Sequence, residues 1–257
     1  VFQSSLQKTF NGQKDVNIEK EILSILSSGK FNRYQVTNFA NILSISNKKM
    51  IKINNLVKHF GKFRALDNIN LQLIEGQSIA LIGPNGCGKT TLMKSVLGLN
   101  VVEQGDIIVN GKNVSEDFSY RENIGYMPQI GRYPENMTIG QTIKMIQDIR
   151  KFSPKDIDTE LLEAFELEKI YHKKMATLSG GTTQKVSAVL AFMFNPKIII
   201  LDEPTAGLDP LASEILKQKI IKEKNKGKLI IITSHLLSEL DEIITQVIFM
   251  NEGKVLV

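Results

Sequence analysis

Residues Gly83-Pro84-Asn85-Gly86-Cys87-Gly88-Lys89-Thr90 match the phosphate-binding pattern G-x-x-x-x-G-K-[ST] at every fixed position. The apolar run Ser78-Ile79-Ala80-Leu81-Ile82 leads into it, and the helix-compatible stretch Thr91-Leu92-Met93-Lys94-Ser95-Val96-Leu97 leads out. Strand, loop and helix in that order are the setting such a match requires. The glycines let successive backbone N–H groups curl toward one point, where the helix N-terminus adds partial positive charge. Lys89 can then reach the β- and γ-phosphates, and the Thr90 hydroxyl can hold Mg²⁺. The loop therefore implies an α/β fold that binds a nucleoside triphosphate through residues 83–90 and Thr91.

The rest of the chain supplies the sheet that such a loop needs. Ile198-Ile199-Ile200-Leu201, Leu229-Ile230-Ile231-Ile232 and Val247-Ile248-Phe249 are continuous apolar strings alternating with helical stretches. They predict a parallel sheet covered on both faces. Ile69, Leu71 and Leu73 alternate with Asn70 and Gln72, and Ile107-Ile108-Val109 runs into the hairpin dipeptide Asn110-Gly111. Both predict an antiparallel β region beside the nucleotide core. Between them lies a helical middle. Thr138 is placed to cap a helix with Ile139, Ile143, Ile146 and Ile149 on one face, and Ser153-Pro154 opens another carrying Ile157, Leu161 and Phe165.

With 257 residues, 42% apolar and 23% charged, the chain has ample length for a buried core. It has no apolar run of about 18 residues, the length expected of a membrane span, and its N-terminus lacks a signal-peptide pattern. The cytoplasm is the default location, and the single Cys87 suits a reducing compartment. The net charge of +5 does not argue for nucleic acid. Residues 1–49 hold seven Lys and Arg against three Asp and Glu, which leaves only +1 for the remainder. That Ser-, Asn- and Lys-rich segment reads as an N-terminal extension, non-native read-through or poorly ordered, with a helical appendage packed on the domain as the alternative. The folded domain is expected over residues 50–257.

A second acidic site follows the strand at Ile198: Asp202-Glu203-Pro204. A carboxylate at the end of a buried strand beside a phosphate loop is well placed for Mg²⁺, and two adjacent carboxylates allow divided labour. Asp202 would serve the metal and Glu203 would polarise the attacking water.

At this point the chain resembles the ATP-binding-cassette (ABC) ATPases. Leu178-Ser179-Gly180-Gly181 is similar to their signature, Gln129 in Tyr126-Met127-Pro128-Gln129 to the Q-loop, Ala206-Gly207-Leu208-Asp209 to the D-loop, and His235 to the switch histidine. Phe60 lies 23 residues before Gly83, where the family places an adenine-stacking aromatic. The resemblance spans Ile51 to Val257. It implies a mixed-sheet P-loop NTPase core with an antiparallel β subdomain and a helical subdomain inserted at about 130–180. It also implies ATP and Mg²⁺ as ligands, Thr90, Gln129 and Asp202 around the metal, and Glu203, His235 and Gln129 in catalysis. Two cassettes would pair head to tail, each presenting Ser179, Gly180 and Gly181 to the nucleotide of the other. The physics is again that of helix N-terminal N–H groups facing an anion.

The resemblance further implies a transport ATPase on the cytoplasmic face of the membrane, docking on a separate permease through the helical middle. Thr182 departs from the usual signature glutamine. Residues 126–138 and 179–188 look like the copper-processing ABC ATPases of nitrous-oxide reductase maturation, in which Thr182 is usual. That likeness implies export of a copper- or sulfur-related species. Only 88 residues separate Thr91 from Ser179, which leaves no room for the coiled-coil insert of DNA-repair ATPases. A single cassette disfavours translation factors, and the presence of Glu203 and His235 disfavours a non-hydrolysing regulator. A soluble ATPase serving an iron–sulfur-type assembly scaffold is the alternative. Cys87, beside a helix N-terminus, is expected to have a lowered thiol pKa and to lose ATPase activity on alkylation unless nucleotide is bound. The chain ends within an apparent hairpin at 246–257, where family members often continue.

Overall fold

Alternating apolar residues make β1 (Lys49–Phe60) and β2 (Phe63–Ile74) half-buried strands that pair antiparallel. The computed structural model describes residues 49–153, 156–234 and 241–256. Apart from Lys49, the expected extension 1–49 lies outside them. Strands β4 (Gln104–Val109) and β5 (Lys112–Asn113) complete a four-stranded antiparallel sheet of order β2-β1-β4-β5. The Asn110-Gly111 turn forms as expected. Both residues are left-handed, with φ of 51° and 80°, as a two-residue hairpin twisted like its strands demands.

The second sheet has the order β10-β9-β3-β8-β7-β6. Its parallel members are β3 (Ser78–Ile82), β6 (Ile124–Met127), β7 (Ile198–Asp202), β8 (Leu229–Thr233) and β9 (Gln246–Asn251). Every residue of β7 and β8 is buried, because both faces are covered. Alternate residues serve opposite cores. Ile198 and Ile200 join Ile51, Ile53 and Leu66 beneath the antiparallel sheet. Ile199 and Leu201 pack instead with Val186 and Val189 of α4 (Gly180–Phe192) and Leu216 of α5 (Pro210–Asn225). Strand β9 departs from the expectation of full burial: Ile248 and Met250 are buried, but Val247 and Phe249 are 46% and 40% exposed. It lies one strand from the sheet edge, paired with the antiparallel hairpin strand β10 (Lys254–Leu256).

Between β6 and α4 lie α2 (Ile139–Arg150) and α3 (Glu160–Ala164). Thr138 caps α2 in a capping box with Gln141. Ile139 and Ile143 are buried, but Ile149 is 68% exposed, against expectation. At about 100° per residue, Arg150 and not Ile149 falls on the stripe of Ile139 and Ile143. Its guanidinium donates to the Glu122 and Ile124 carbonyls and lies 4.9 Å from the Phe194 ring centre. The helix expected from Ser153-Pro154 is shorter: α3 begins only at Glu160, although Leu161 and Phe165 are buried as expected. Pro154 lies outside the described residues. None of the described helices is long and apolar enough to cross a membrane.

A buried ion cluster fastens α5 to the start of α3. Lys219, 2% exposed, pairs with Asp158, with Glu160 at 2.8 Å and with Glu223 at 3.2 Å. Glu223, 1% exposed, also meets Lys226 at 2.6 Å and Lys228. Burial pushes the Glu223 carboxyl up, but hydrogen bonds from Lys226 and Lys228, with the charges of Lys228 and Lys219, outweigh it and hold it at about 2. A carboxyl held below its ordinary 4.5 stabilises the fold fully above that pH and loses the effect as pH falls toward about 2. Glu223→Gln is therefore expected to cost about 3 kcal/mol at neutral pH. It should also flatten the loss of stability on acidification in a urea-unfolding series. An acid limb as steep as that of the parent protein would contradict this assignment.

Candidate nucleotide and hydrolysis site

The phosphate loop sits between β3 and α1 (Lys89–Val96), as its sequence requires. Gly83 and Gly88 have φ of 149° and 108°, and each is crowded by neighbouring backbone. A Cβ at Gly83 would stand 2.1 Å from the Met250 carbonyl oxygen, and one at Gly88 would stand 2.5 Å from that of Ala65. Pro84, Asn85 and Gly86 form the exposed crest, while Cys87, Gly88 and Lys89 are buried. Lys89 Nζ donates to the carbonyl oxygens of Gly83 (2.8 Å) and Pro84 (3.1 Å), so its ammonium already lies inside the loop. Thr91 accepts from Ser95 Oγ through its carbonyl, which steadies the first turns of α1.

Cys87 is 3% exposed and belongs to the core. Its thiol faces Gly83 and lies 3.9 Å from Lys89 Nζ. The expectation of an alkylation-sensitive thiol is corrected on this ground: a buried thiol is inert toward reagents in solution. Nucleotide is not needed to shield it.

Parallel pairing brings the acidic pair to the same edge as the loop. Asp202 ends β7 in register with Thr233 at the end of β8. Its carboxylate accepts from Thr233 Oγ1 at 2.6 Å, and its other oxygen lies 3.3 Å from Thr90 Oγ1. The backbone then turns sharply. Glu203 has φ of 50°, a left-handed conformation that costs a non-glycine residue on the order of 1 kcal/mol or more. Its N–H is held by the Thr233 hydroxyl (3.0 Å) and carbonyl (3.2 Å). The turn sends the Glu203 side chain toward Gln129, whose amide donates to Glu203 Oε2 at 2.8 Å. Tyr126 lies behind this group. Burial, reinforced by the negative charge of Asp202, pushes its phenol up to about 12 and keeps it neutral.

Ser179 caps α4, its hydroxyl accepting from the Thr182 N–H at 3.2 Å. Ser179 and Gly180 are exposed at this helix start. Gly181 backs onto residue 207: a Cβ there would stand 2.8 Å from the Gly207 carbonyl oxygen. Lys185 bridges to Asp209, the cap of α5, at 2.8 Å, and together with the Ala212 N–H holds the Asp209 carboxyl below its ordinary range. Residues 179–181 and 206–209 thus form one surface. Among the described residues no hydrogen bond joins residues 179–181 to the phosphate loop.

Phe60 is 52% exposed at the tip of the β1–β2 hairpin, opposite Phe63, with Lys58 Nζ 5.0 Å from its ring centre. Three residues past Phe63, Leu66 faces Gly88, which puts this hairpin beside the phosphate loop. The structure therefore gathers residues 83–90, Asp202, Glu203 and Gln129. His235 lies outside the described residues. Sequence reasoning missed Thr233 and Gln184. The hydroxyl ending an aliphatic strand marks the first. The second is a polar residue at a buried helix position, 4% exposed, whose amide donates to the Gln129 carbonyl at 3.3 Å.

Residues 66–206 match the ABC transporter family. Over 209 residues, 80% of this chain, the sequence is 35% identical to a sulfate/thiosulfate import ATP-binding protein of Mesostigma viride, of which it spans 60%. A solved ATP-binding subunit of an ABC transporter has a TM-score of 0.75 at 28% identity, covering 80% of this chain and 88% of that one. A bacterial ABC transporter cassette, solved as a dimer, has a TM-score of 0.71 at 25% identity, covering 80% and 96%. Together with the cassette fold and the meeting of phosphate loop and carboxylates, these likenesses identify the chain as a member of the ABC transporter family, whose cassettes hydrolyse ATP.

Proposed function

We propose that this chain is the ATP-hydrolysing subunit of an ABC transporter, working as a pair of cassettes on the cytoplasmic face of a separate membrane permease. The observation that carries the reading is the convergence of Thr90, Asp202, Glu203 and Gln129 at the phosphate loop. Residues 83–91 cradle the phosphates of ATP, and Lys89 exchanges its two carbonyl partners for β- and γ-phosphate oxygens. Phe60 stacks on the adenine. Thr90, Gln129 and Asp202 form a hard-oxygen donor set that fits Mg²⁺, because the Thr90 hydroxyl and Asp202 carboxylate lie 3.3 Å apart and a small octahedral cation takes such groups directly or through water. When bound, Mg²⁺ neutralises charge developing on the β- and γ-phosphates.

Glu203 accepts a proton from the attacking water as the water oxygen bonds to the γ-phosphorus and the bond to the bridging oxygen breaks, releasing ADP and phosphate. Gln129 holds the Glu203 carboxylate through its amide and orients it. His235 contacts the γ-phosphate. The exposed start of α4 supports the remaining part: Ser179, Gly180 and Gly181 are free to meet the nucleotide of a second copy. A groove of about 340 Å³ between the sheet and the helical middle, lined by Leu97, Tyr133 and Ile146 and by Arg121, Arg132 and Arg150, suits a permease segment that is apolar with acidic or polar groups at its edge.

Glu203→Gln is expected to retain MgATP binding while hydrolysis slows about 10²-fold or more, as for loss of a positioned base. Lys89→Ala should instead lose nucleotide affinity. Full turnover by Glu203→Gln, or unchanged MgATP affinity in Lys89→Ala, would overturn the assigned roles.

The finer reading is export of a copper- or sulfur-related species for nitrous-oxide reductase maturation, supported by the likeness of residues 126–138 and 179–188 to the ATPases of that process. In cells that make nitrous-oxide reductase, Glu203→Gln should then leave the enzyme present but without its copper. Fully metallated enzyme in that background would rule the finer reading out.

A further inference from the structure

The buried amide of Gln184 is a polar group for which packing has no use. It lies on the second turn of α4, the helix whose start carries Ser179–Gly181, and is 4% exposed. Its Nε2 donates to the main-chain carbonyl of Gln129, and the Gln129 side chain in turn donates to Glu203. Two further contacts lay the segment after Gln129 along the same helix. Tyr133 donates its hydroxyl to Ser187 Oγ at 2.9 Å, with Ser187 wholly buried. Gly131 is so close to α4 that a Cβ would stand 2.3 Å from Ser187 Oγ and 3.4 Å from Thr183 Cγ2.

A donor at Gln184 cannot be replaced there by an apolar side chain without leaving the Gln129 carbonyl short of a partner. We propose that Gln184 is a positioning residue for hydrolysis: it clamps Gln129 to α4, so that the Gln129 amide meets Glu203 only while this helix is correctly placed. The inference rests on the roles of Glu203 and Gln129 proposed above and extends them to a residue outside the site. It gives the contact between a second copy's nucleotide and the start of α4 a physical route to Glu203, running through one buried side chain. Because the carbonyl that Gln184 holds belongs to Gln129 itself, the proposal routes its effect on Glu203 through the Gln129 side chain.

That dependence makes a double-mutant cycle decisive. Steady-state ATPase kinetics are measured for Gln184→Met, Gln129→Ala and the two combined, with thermal unfolding of each. Gln184→Leu, of similar size and likewise without a donor, serves as a second variant should Gln184→Met fail to fold. Either variant is expected to lower kcat about tenfold, the scale for a group displaced by less than 1 Å, with little change in KM for ATP. In the Gln129→Ala background the same substitution should lower kcat no further. Losses that multiply, or a rise in KM with kcat unchanged, would overturn the inference. Glu203→Gln separates this failure from that of the site itself: if it hydrolyses ATP at the parent rate, the roles of Glu203 and Gln129 fall. If it is inactive while the Gln184 and Gln129 losses multiply, only the clamp falls.

Discussion

The site depends on parallel pairing of β3 with β8 and of β8 with β7. Parallel strands end on the same side, so the loop after β3, Thr233 at the end of β8 and Asp202 at the end of β7 emerge together. Ligand sites of open α/β sheets form at such carboxyl ends. One residue of slip between β7 and β8 would put Asp202 on the wrong face and separate it from Thr233. The full burial of both strands, with alternate side chains in two different cores, makes such a slip costly. Thr233 is the junction of the arrangement. Its hydroxyl donates to Asp202 and accepts from the Glu203 N–H, and so supports the left-handed turn that aims Glu203 at Gln129.

Much of this was legible in the sequence, because the strongest signals are local. Phosphate loop, Asn110-Gly111 hairpin, Thr138 cap and the aliphatic strings of β7 and β8 each obey a short-range rule, and each appears where that rule predicts. The misreadings came where tertiary contacts decide. Ile149 is instead a misreading of period: steps of three carry it off the buried stripe of α2, and Arg150 falls on that stripe, where its guanidinium finds two carbonyls and a ring. Val247 and Phe249 look like a buried string, yet nearness to the sheet edge leaves them half-covered. Cys87 lies beside a helix N-terminus, as the sequence indicates, but no local pattern reveals that Met250 and the core close over it. Thr233 and Gln184 act only through partners distant in sequence, which is why neither stands out in a single chain.

The geometry also fits the pairing of two cassettes proposed above. Residues 83–91, Asp202, Glu203 and Gln129 meet at one place, whereas the start of α4 is exposed and backed by residues 206–209. Its free N–H groups can be satisfied by an anion that arrives from outside. Two copies arranged head to tail would complete each other, and α4 would carry the news of that closure back to Gln129.

The most direct test of this account is the solution mass of the Glu203→Gln protein with and without MgATP, with its permease present and absent. The account predicts a change on adding MgATP from one chain of 28.8 kDa to a pair. A protein that binds MgATP and stays single under both conditions would contradict it.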